Sequence, residues 1–446
     1  MKIKQFEYEP LSHFSYAIIS DGKMALVDPE RNPIQYYKYA EENNAKIVAI
    51  FETHPHADFV SSHLQIHNET GAELYCSKKT GADYPHTTFD DGDEVKIGNT
   101  TFRAINTPGH SPDSVTIVAT EGNKTALFTG DTLFVGDVGR PDLREKAGHM
   151  KAKREELAKM MYHTIQNKFT DLPDIAYVYP AHGAGSLCGK GMSEDASSST
   201  LGTERIGNWA FKKQTEQQFI DHLLDSQPFI PHYFGYNVDV NKNGAANLRA
   251  ALGGIPFKLD VEKTENDALI IDIRDEEDFK KNHLPDSINI MATSESSKFE
   301  TWLGSIVRPD EKFHLVVDSI ENAENILQRT AKIGYEKNVN SVITLADKPF
   351  EKSVAFNLQD FKKHTEKYTI VDIRNGSEVS EEKYFDRALE IPLNQLREKA
   401  DEIPTDKPIV VHCAGGYRSA AGTSILQKEL KTDKVFDLSD DIEDFK

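Results

Sequence analysis

Ile47-Val48-Ala49-Ile50-Phe51-Glu52-Thr53-His54-Pro55-His56-Ala57-Asp58 decides how the first half of this chain is read. An apolar run stops, and His54, His56 and Asp58 follow at alternate positions. Residues 47–51 read as a buried strand, and side chains that follow strands converge on one edge of a sheet. The arrangement recurs further along. A strand-like run at 101–105 leads to Thr107-Pro108-Gly109-His110, one at 125–128 to Thr129-Gly130-Asp131, and one at 175–179 to Tyr179-Pro180-Ala181-His182-Gly183. Imidazole and carboxylate are donors for zinc, iron or manganese. One histidine says little by itself. His54, His56, His110 and His182 with Asp58 and Asp131, all placed behind strands, predict a metal centre.

Around these motifs the first part of the chain alternates short strands and helices. Residues 14–19 and 24–27 flank Ser20-Asp21-Gly22-Lys23, and Asp-Gly between apolar runs predicts a hairpin. Residues 151–166 and 214–224 read as helices, so a layered α/β architecture is expected. A stretch rich in Pro, Asn and Gly at 228–254 reads as a domain edge and linker.

The 446 residues exceed one compact core and predict two or three domains. Hydrophobic residues at 38% and charged residues at 28% exclude a disordered chain. A formal net charge of -20 disfavours nucleic acid and anionic membranes as partners. No signal peptide follows Met1-Lys2-Ile3-Lys4, and no apolar run is long enough to span a bilayer. Cys76, Cys188 and Cys413 are too few and too far apart for a disulfide framework. A cytoplasmic location, with each thiol reduced, is expected. Cys76 follows Leu74-Tyr75 and reads as a strand residue used for packing.

The second half repeats itself. Leu269-Ile270-Ile271-Asp272-Ile273-Arg274 returns as Thr369-Ile370-Val371-Asp372-Ile373-Arg374, an offset of 372 − 272 = 100 residues. A second apolar strand follows each copy, at 314–317 and at 409–411, so each reads as one α/β unit. The copies then diverge. Val410-Val411-His412-Cys413 runs into Ala414-Gly415-Gly416-Tyr417-Arg418-Ser419 and a helix-forming segment. A strand, a glycine loop and a helix N-terminus aim backbone N–H groups at one spot, which holds an anion or a thiolate. Cys413 is therefore expected to be a nucleophile able to carry a terminal sulfur, with Arg418 as fixed positive charge and Ala414, Gly415, Gly416, Tyr417 and Ser419 as the anion-binding loop. The earlier copy has Asp318-Ser319-Ile320 behind its strand, with no cysteine and no glycine loop. Packing, oligomer contacts or domain orientation are its expected work.

Two family resemblances follow from these residues. His-x-His-x-Asp, Gly-His, Gly-Asp and Ala-His-Gly resemble the metallo-β-lactamase superfold over residues 1–245. That implies an αββα sandwich with metal at one edge. Members with two metals usually place a histidine after the aspartate of His-x-His-x-Asp; Phe59 stands there, with no donor atom. Within the superfold the chain is most similar to the persulfide dioxygenases. That resemblance implies one non-heme Fe(II) per chain held by His54, His110 and Asp131. His56, Asp58 and His182 then stand behind the ligands or on the substrate side. Arg140, in Gly139-Arg140-Pro141-Asp142, either meets an anionic group of the thiol carrier or holds its own loop by a salt bridge. Cys188, six residues after His182, is a candidate for relaying sulfur in the metal pocket or a buried structural thiol.

Asp372-x-Arg374 and Cys-x-x-Gly-x-Arg-Ser resemble the rhodanese sulfurtransferases. Tyrosine phosphatases use a loop one residue longer, and the shorter one suits a single sulfur. The resemblance implies an inactive rhodanese-like domain at 246–348 and an active one at 349–446, two α/β domains behind the sandwich. The whole resembles the multidomain persulfide dioxygenase–sulfurtransferases of bacteria. It implies that a low-molecular-weight thiol persulfide is oxidised with O2 to sulfite, and that Cys413 joins sulfur to sulfite as thiosulfate, a sulfide detoxification; a homo-oligomer is also implied. The rival reading is a zinc-dependent thioester hydrolase of the glyoxalase II type, against which Phe59 argues.

Overall fold

Asp21 and Gly22 both adopt left-handed backbone angles, φ 49° and 67°, and fold the strands His13–Ser20 and Lys23–Val27 into the expected hairpin. In the computed structural model, residues 1–143, 154–265 and 267–446 are described. The chain separates into two units, 1–250 with 331–334, and 251–330 with 335–446.

In the first unit the hairpin belongs to a six-stranded sheet ordered Lys2–Tyr8, His13–Ser20, Lys23–Val27, Lys46–Phe51, Glu73–Cys76, Thr87–Thr88. A second six-stranded sheet runs Ser199–Thr200, Tyr177–Pro180, Lys124–Gly130, Val115–Glu121, Thr100–Asn106, Glu94–Ile97. Phe14, Tyr16, Phe51, Phe102, Ile117 and Phe128 fill the space between the sheets. Each fully buried phenylalanine contributes about 1.5–3 kcal/mol. Helices cover the outer faces. Tyr36 and Ala40 of Ile34–Glu42 and Ile66 of His63–Thr70 pack on Leu26 and Ile50 of the first sheet. Met161 and Ile165 of Arg154–Asn167 and Phe219 and Leu223 of Glu216–Leu224 cover the second. Both faces of each sheet are thus apolar, which is why the central strands read as continuous hydrophobic runs. The layers are helix, sheet, sheet, helix. Residues 151–153 of the expected helix lie outside the described residues.

The stretch 228–254, read as a domain edge and linker, contains the division between the two units but is not an irregular linker. It holds the helices Tyr233–Asn243 and Leu248–Gly253. Phe234, Asn237, Val238 and Asn241 of the first are buried. Its asparagines read as turn formers because their side chains compete locally for backbone bonds. Here Asn241 spends that hydrogen-bonding capacity on distant residues instead, as described below.

The second unit contains both repeats. A five-stranded parallel sheet is ordered Phe257–Val261, Val339–Leu345, Phe313–Val316, Leu269–Asp272, Ser287–Asn289. A four-stranded parallel sheet is ordered Leu389–Glu390, Thr369–Asp372, Ile409–His412, Val435–Asp437. Each copy keeps one internal ion pair. Arg274 Nη2 meets Asp272 Oδ2 at 2.6 Å and donates to the Asn282 carbonyl at 2.8 Å. Arg374 Nη2 meets Asp372 Oδ2 at 2.7 Å and donates to the Glu382 carbonyl at 2.9 Å. Among the described residues, no helix is long and apolar enough to cross a membrane.

Candidate metal centre and cysteine loop

The strands of the first unit deliver their C-terminal residues to one edge. His54 follows Lys46–Phe51, His110 follows Thr100–Asn106, Asp131 follows Lys124–Gly130, and His182 follows Tyr177–Pro180. Gly130 lets two of these segments meet. Its φ is +52°, and a Cβ there would stand 2.5 Å from Thr53 Oγ1.

His54, His110 and Asp131 place one donor atom each within 4.8 Å of one another. Asp131 Oδ2 lies 3.8 Å from His54 Nε2 and 3.5 Å from His110 Nε2. The opposite ring nitrogens are engaged elsewhere. His110 Nδ1 donates to the Arg140 carbonyl at 2.9 Å, and His54 Nδ1 lies 3.1 Å from Thr53 Oγ1. That leaves Nε2 of each ring as the inward donor, the tautomer a metal requires. Both Asp131 oxygens are buried without a hydrogen-bond partner. A buried carboxylate left so is costly unless a cation neutralises it. The three residues therefore fit a divalent ion, with positions left for substrate.

A second donor group adjoins the first. His56, Asp58 and His182 also lie within 4.8 Å of one another. His182 Nε2 is 3.4 Å from Asp58 Oδ2 and 3.5 Å from Asp131 Oδ1, so Asp131 faces both groups. Burial opposes charge on His182, yet Asp58 and Asp131 outweigh it and raise the imidazole well above its ordinary range. His56 turns Nε2 to Asp28 Oδ1 at 3.1 Å. Phe59 brings no donor; it packs on His56 and on His13, ring centroids 4.3 and 3.8 Å apart.

Cys188 is buried and groups with Asp131 and His182. Burial, then the charges of Asp131 and Asp58, push its thiol up. Arg140 ties this cysteine to the metal loop. Its backbone N–H donates to the Cys188 carbonyl at 2.9 Å, and its guanidinium donates to the Leu187 carbonyl at 3.1 Å. The same guanidinium forks onto Asp142, both contacts 2.6 Å. Of the two readings given for Arg140, this geometry is the loop-holding one.

Three residues absent from the sequence reading shape the site. Asp28 accepts from the Thr53 N–H and hydroxyl, both at 2.7 Å. Asn241 donates to the carbonyls of His56 and Phe59 at 2.8 Å each and accepts from the Ser61 N–H. His13 reaches the edge through a bridge to His182. No local motif marks them, since each acts across more than twenty residues of sequence.

In the second unit, Cys413 follows Ile409–His412 and precedes the helix Tyr417–Leu430. That helix has no side-chain cap, so its first N–H groups face the loop. Gly416 takes φ +90°, and a Cβ there would meet Asp440 Oδ1 at 2.7 Å. Arg418 forks onto Glu378 at 2.7 and 2.6 Å. Burial lowers the Arg418 guanidinium, but Glu378 and then Cys413 raise it overall. The Ser419 hydroxyl turns to the Gly416 carbonyl at 2.7 Å, and the Tyr417 hydroxyl donates to the Met291 carbonyl of the other copy at 2.7 Å. Strand pairing aligns Asp272 with Val316 and Asp372 with His412, so Val317 occupies in the first copy the place of Cys413.

Comparison with known proteins agrees with both halves. The crystal structure of a metallo-β-lactamase from Staphylococcus aureus subsp. aureus COL is 31% identical, with 77% of this chain and 99% of that chain aligned at a TM-score of 0.69. This chain belongs to the metallo-β-lactamase superfamily. Residues 8–182 match that superfamily, and residues 258–343 and 357–446 match the rhodanese-like domain. The superfamily member thus carries two rhodanese-like domains behind its sandwich. The mitochondrial persulfide dioxygenase ETHE1 of Homo sapiens is 28% identical over 181 residues, 39% of this chain and 66% of that protein. The hydroxyacylglutathione hydrolase of Hydrogenovibrio crunogenus is 34% identical over 123 residues, 27% of this chain and 44% of that protein. The chain spans just under two thirds of ETHE1 and less than half of the hydrolase.

Proposed function

We propose that this chain is a non-heme iron persulfide dioxygenase coupled to a rhodanese-type sulfurtransferase. The net first reaction is R–S–SH + O2 + H2O giving R–SH, sulfite and two protons. A ferrous ion held by His54, His110 and Asp131 supplies the redox chemistry when bound. The observation that carries the reading is Asp131, a buried carboxylate with no hydrogen-bond partner between two imidazoles whose Nε2 atoms face it. Asn241 and Asp28 hold the loop that presents His54, and the Arg140 carbonyl fixes the His110 tautomer. Phe59, lacking a donor, and His56, turned to Asp28, favour a single ion. Cys188 lies close enough to relay sulfur there.

In the second reaction Cys413 takes sulfur from another persulfide and hands it to sulfite, giving thiosulfate. The likeness to ETHE1 supports the first step and the rhodanese-like match the second. Three free cysteines fit a reducing cytoplasm.

A second reading is a zinc-dependent thioester hydrolase of the glyoxalase II type. The His56–Asp58–His182 group, which offers donors for another ion, favours it. Oxygen uptake by the iron-loaded protein with a defined thiol persulfide separates the two. Rapid uptake that vanishes in His110→Ala supports the dioxygenase. No uptake with iron bound, and hydrolysis of a glutathione thioester by the zinc form, establishes the alternative.

A further inference from the structure

Ala420, Thr423, Ser424 and Gln427 recur along the helix Tyr417–Leu430 at the spacing of one helix face. Together they line a cavity of about 190 Å³ that neither Cys413 nor Arg418 touches. An apolar cavity of roughly 150 Å³ takes up benzene, so this one has room for a single ring and a short tail. Phe279, Val435 and Phe436 supply apolar wall, and residues 353–356, from the stretch joining the two copies, supply the rest. That stretch is fastened at both ends. The Ser353 N–H donates to the Lys280 carbonyl at 3.0 Å, and the Phe356 ring packs on Phe436 with centroids 5.5 Å apart. Between them Val354 is 47% exposed, so the cavity opens to solvent there.

We propose that this cavity binds a small organic ammonium ion, an amine whose apolar body is about one ring. The site is independent of the sulfur-transfer reading of Cys413. Its charge favours a cation. Glu276 and Asp437 both line it, and Lys280 is the one cation among the lining residues. The Lys280 ammonium pairs with Glu276 and lies 3.0 Å from Asp437 Oδ2, so two carboxylates share a single positive charge. Glu277, 3.8 Å from the same ammonium, adds a third acid. The crowding registers on Glu276: burial raises its carboxyl, Lys280 pulls it back, and Asp437 pushes it up again. Both carboxylates keep room for another donor. Asp437 Oδ1 accepts from the Ser439 N–H at 2.9 Å and Glu276 Oε1 from the Ser439 hydroxyl at 3.0 Å, whereas a carboxylate accepts about four hydrogen bonds.

A second observation points the same way. Thr423 is 7% exposed, and its hydroxyl oxygen has no hydrogen-bond partner among the described residues. A helical threonine can bond a carbonyl one turn back. The adjacent Ser424 is fully engaged, donating to the Ala421 carbonyl at 2.9 Å and accepting from the Asn289 N–H at 3.0 Å. A buried hydroxyl left without a partner costs about 1–3 kcal/mol, and an ammonium N–H supplies what it lacks. The same chemistry discriminates among occupants. An anion of the same size meets Glu276 and Asp437 and is repelled, while a neutral molecule leaves the excess negative charge uncompensated.

The test is isothermal titration of the full chain near neutral pH with three probes built on one benzene ring: phenethylamine, 2-phenylethanol and phenylacetate. Phenethylamine is expected to bind with a Kd below about 1 mM, the alcohol at least about tenfold more weakly, and phenylacetate more weakly still. Thr423→Val keeps nearly the same shape without the hydroxyl and should raise the phenethylamine Kd about tenfold. Asp437→Asn should narrow the gap between amine and alcohol. Three results overturn the inference: no binding of phenethylamine up to about 10 mM, an alcohol that binds as tightly as the amine, or an amine affinity that Thr423→Val leaves unchanged. If either variant fails to fold, the ranking of the three probes on the unsubstituted chain decides.

Discussion

The two rhodanese-like copies share a frame and differ in one loop. Both carry Asp-x-Arg on a central parallel strand, with the arginine forked on its own aspartate and donating to a carbonyl eight residues on. In both, the residue between Asp and Arg donates its N–H to the neighbouring strand, Ile273 to Val316 and Ile373 to His412, each at 3.1 Å. Past that point they part. Cys413 enters Ala414-Gly415-Gly416 and then the helix Tyr417–Leu430, while Val317 enters Asp318-Ser319 and a short 3-10 turn, Ile320–Asn322. The ion pair therefore belongs to the scaffold, and the chemistry belongs to the loop.

The largest effect expected from this contrast is at Cys413. Cys413→Ser should cut thiosulfate formation by at least about a thousandfold while O2 uptake continues and sulfite accumulates. Val317→Cys should add no sulfur transfer to that variant. Sulfur transfer by Val317→Cys in the Cys413→Ser background would break the comparison, because the glycine loop would then be dispensable. Next in size is the shared frame. Asp372→Ala leaves a buried guanidinium unpaired and should cost roughly 3–5 kcal/mol in chemical denaturation. Asp272→Ala should cost less, because Arg274 is 11% exposed and Arg374 2%.

A smaller effect is expected at Glu378, a positioning residue that aims Arg418. Glu378→Gln should slow transfer about tenfold and keep the fold, as loss of one charge-assisted bond implies. A merely structural role would leave the transfer rate unchanged and lower the denaturation midpoint instead. The smallest concerns pH. His412 is fully buried and held below its ordinary range, by burial first, against the pull of Asp372. The unfolded chain takes up a proton below about pH 6.5 that the folded chain resists, so stability falls as pH falls through that range. His412→Val copies Val316 of the other copy and should remove up to about 1.4 kcal/mol of that loss per pH unit. An unchanged slope would mean that other groups set it.

The placement of His54, His110, Asp131 and Cys413 behind strands was legible because it is a local pattern, an apolar run followed by a polar group. Asn241 was not, because Asn in a Pro/Gly-rich stretch signals a turn, and only its contacts with His56 and Phe59 show otherwise. His13 and Asp28 escaped because no local motif marks them and their partners, His182 and Thr53, lie far along the chain. The correspondence of Val317 with Cys413 was hidden because the repeat offset shrinks from 100 to 413 − 317 = 96 residues between the strands. Register in the sheets recovers it.

Asn241 also governs where the chain tolerates being cut. A fragment ending soon after His182 would retain the candidate donors His54, His110 and Asp131 and all but one short strand of the two sheets. It would nonetheless lose the amide that holds the carbonyls of His56 and Phe59 and the Ser61 N–H. Excising the first unit as a free-standing catalyst therefore requires the helix Tyr233–Asn243, nearly sixty residues beyond the last ligand motif.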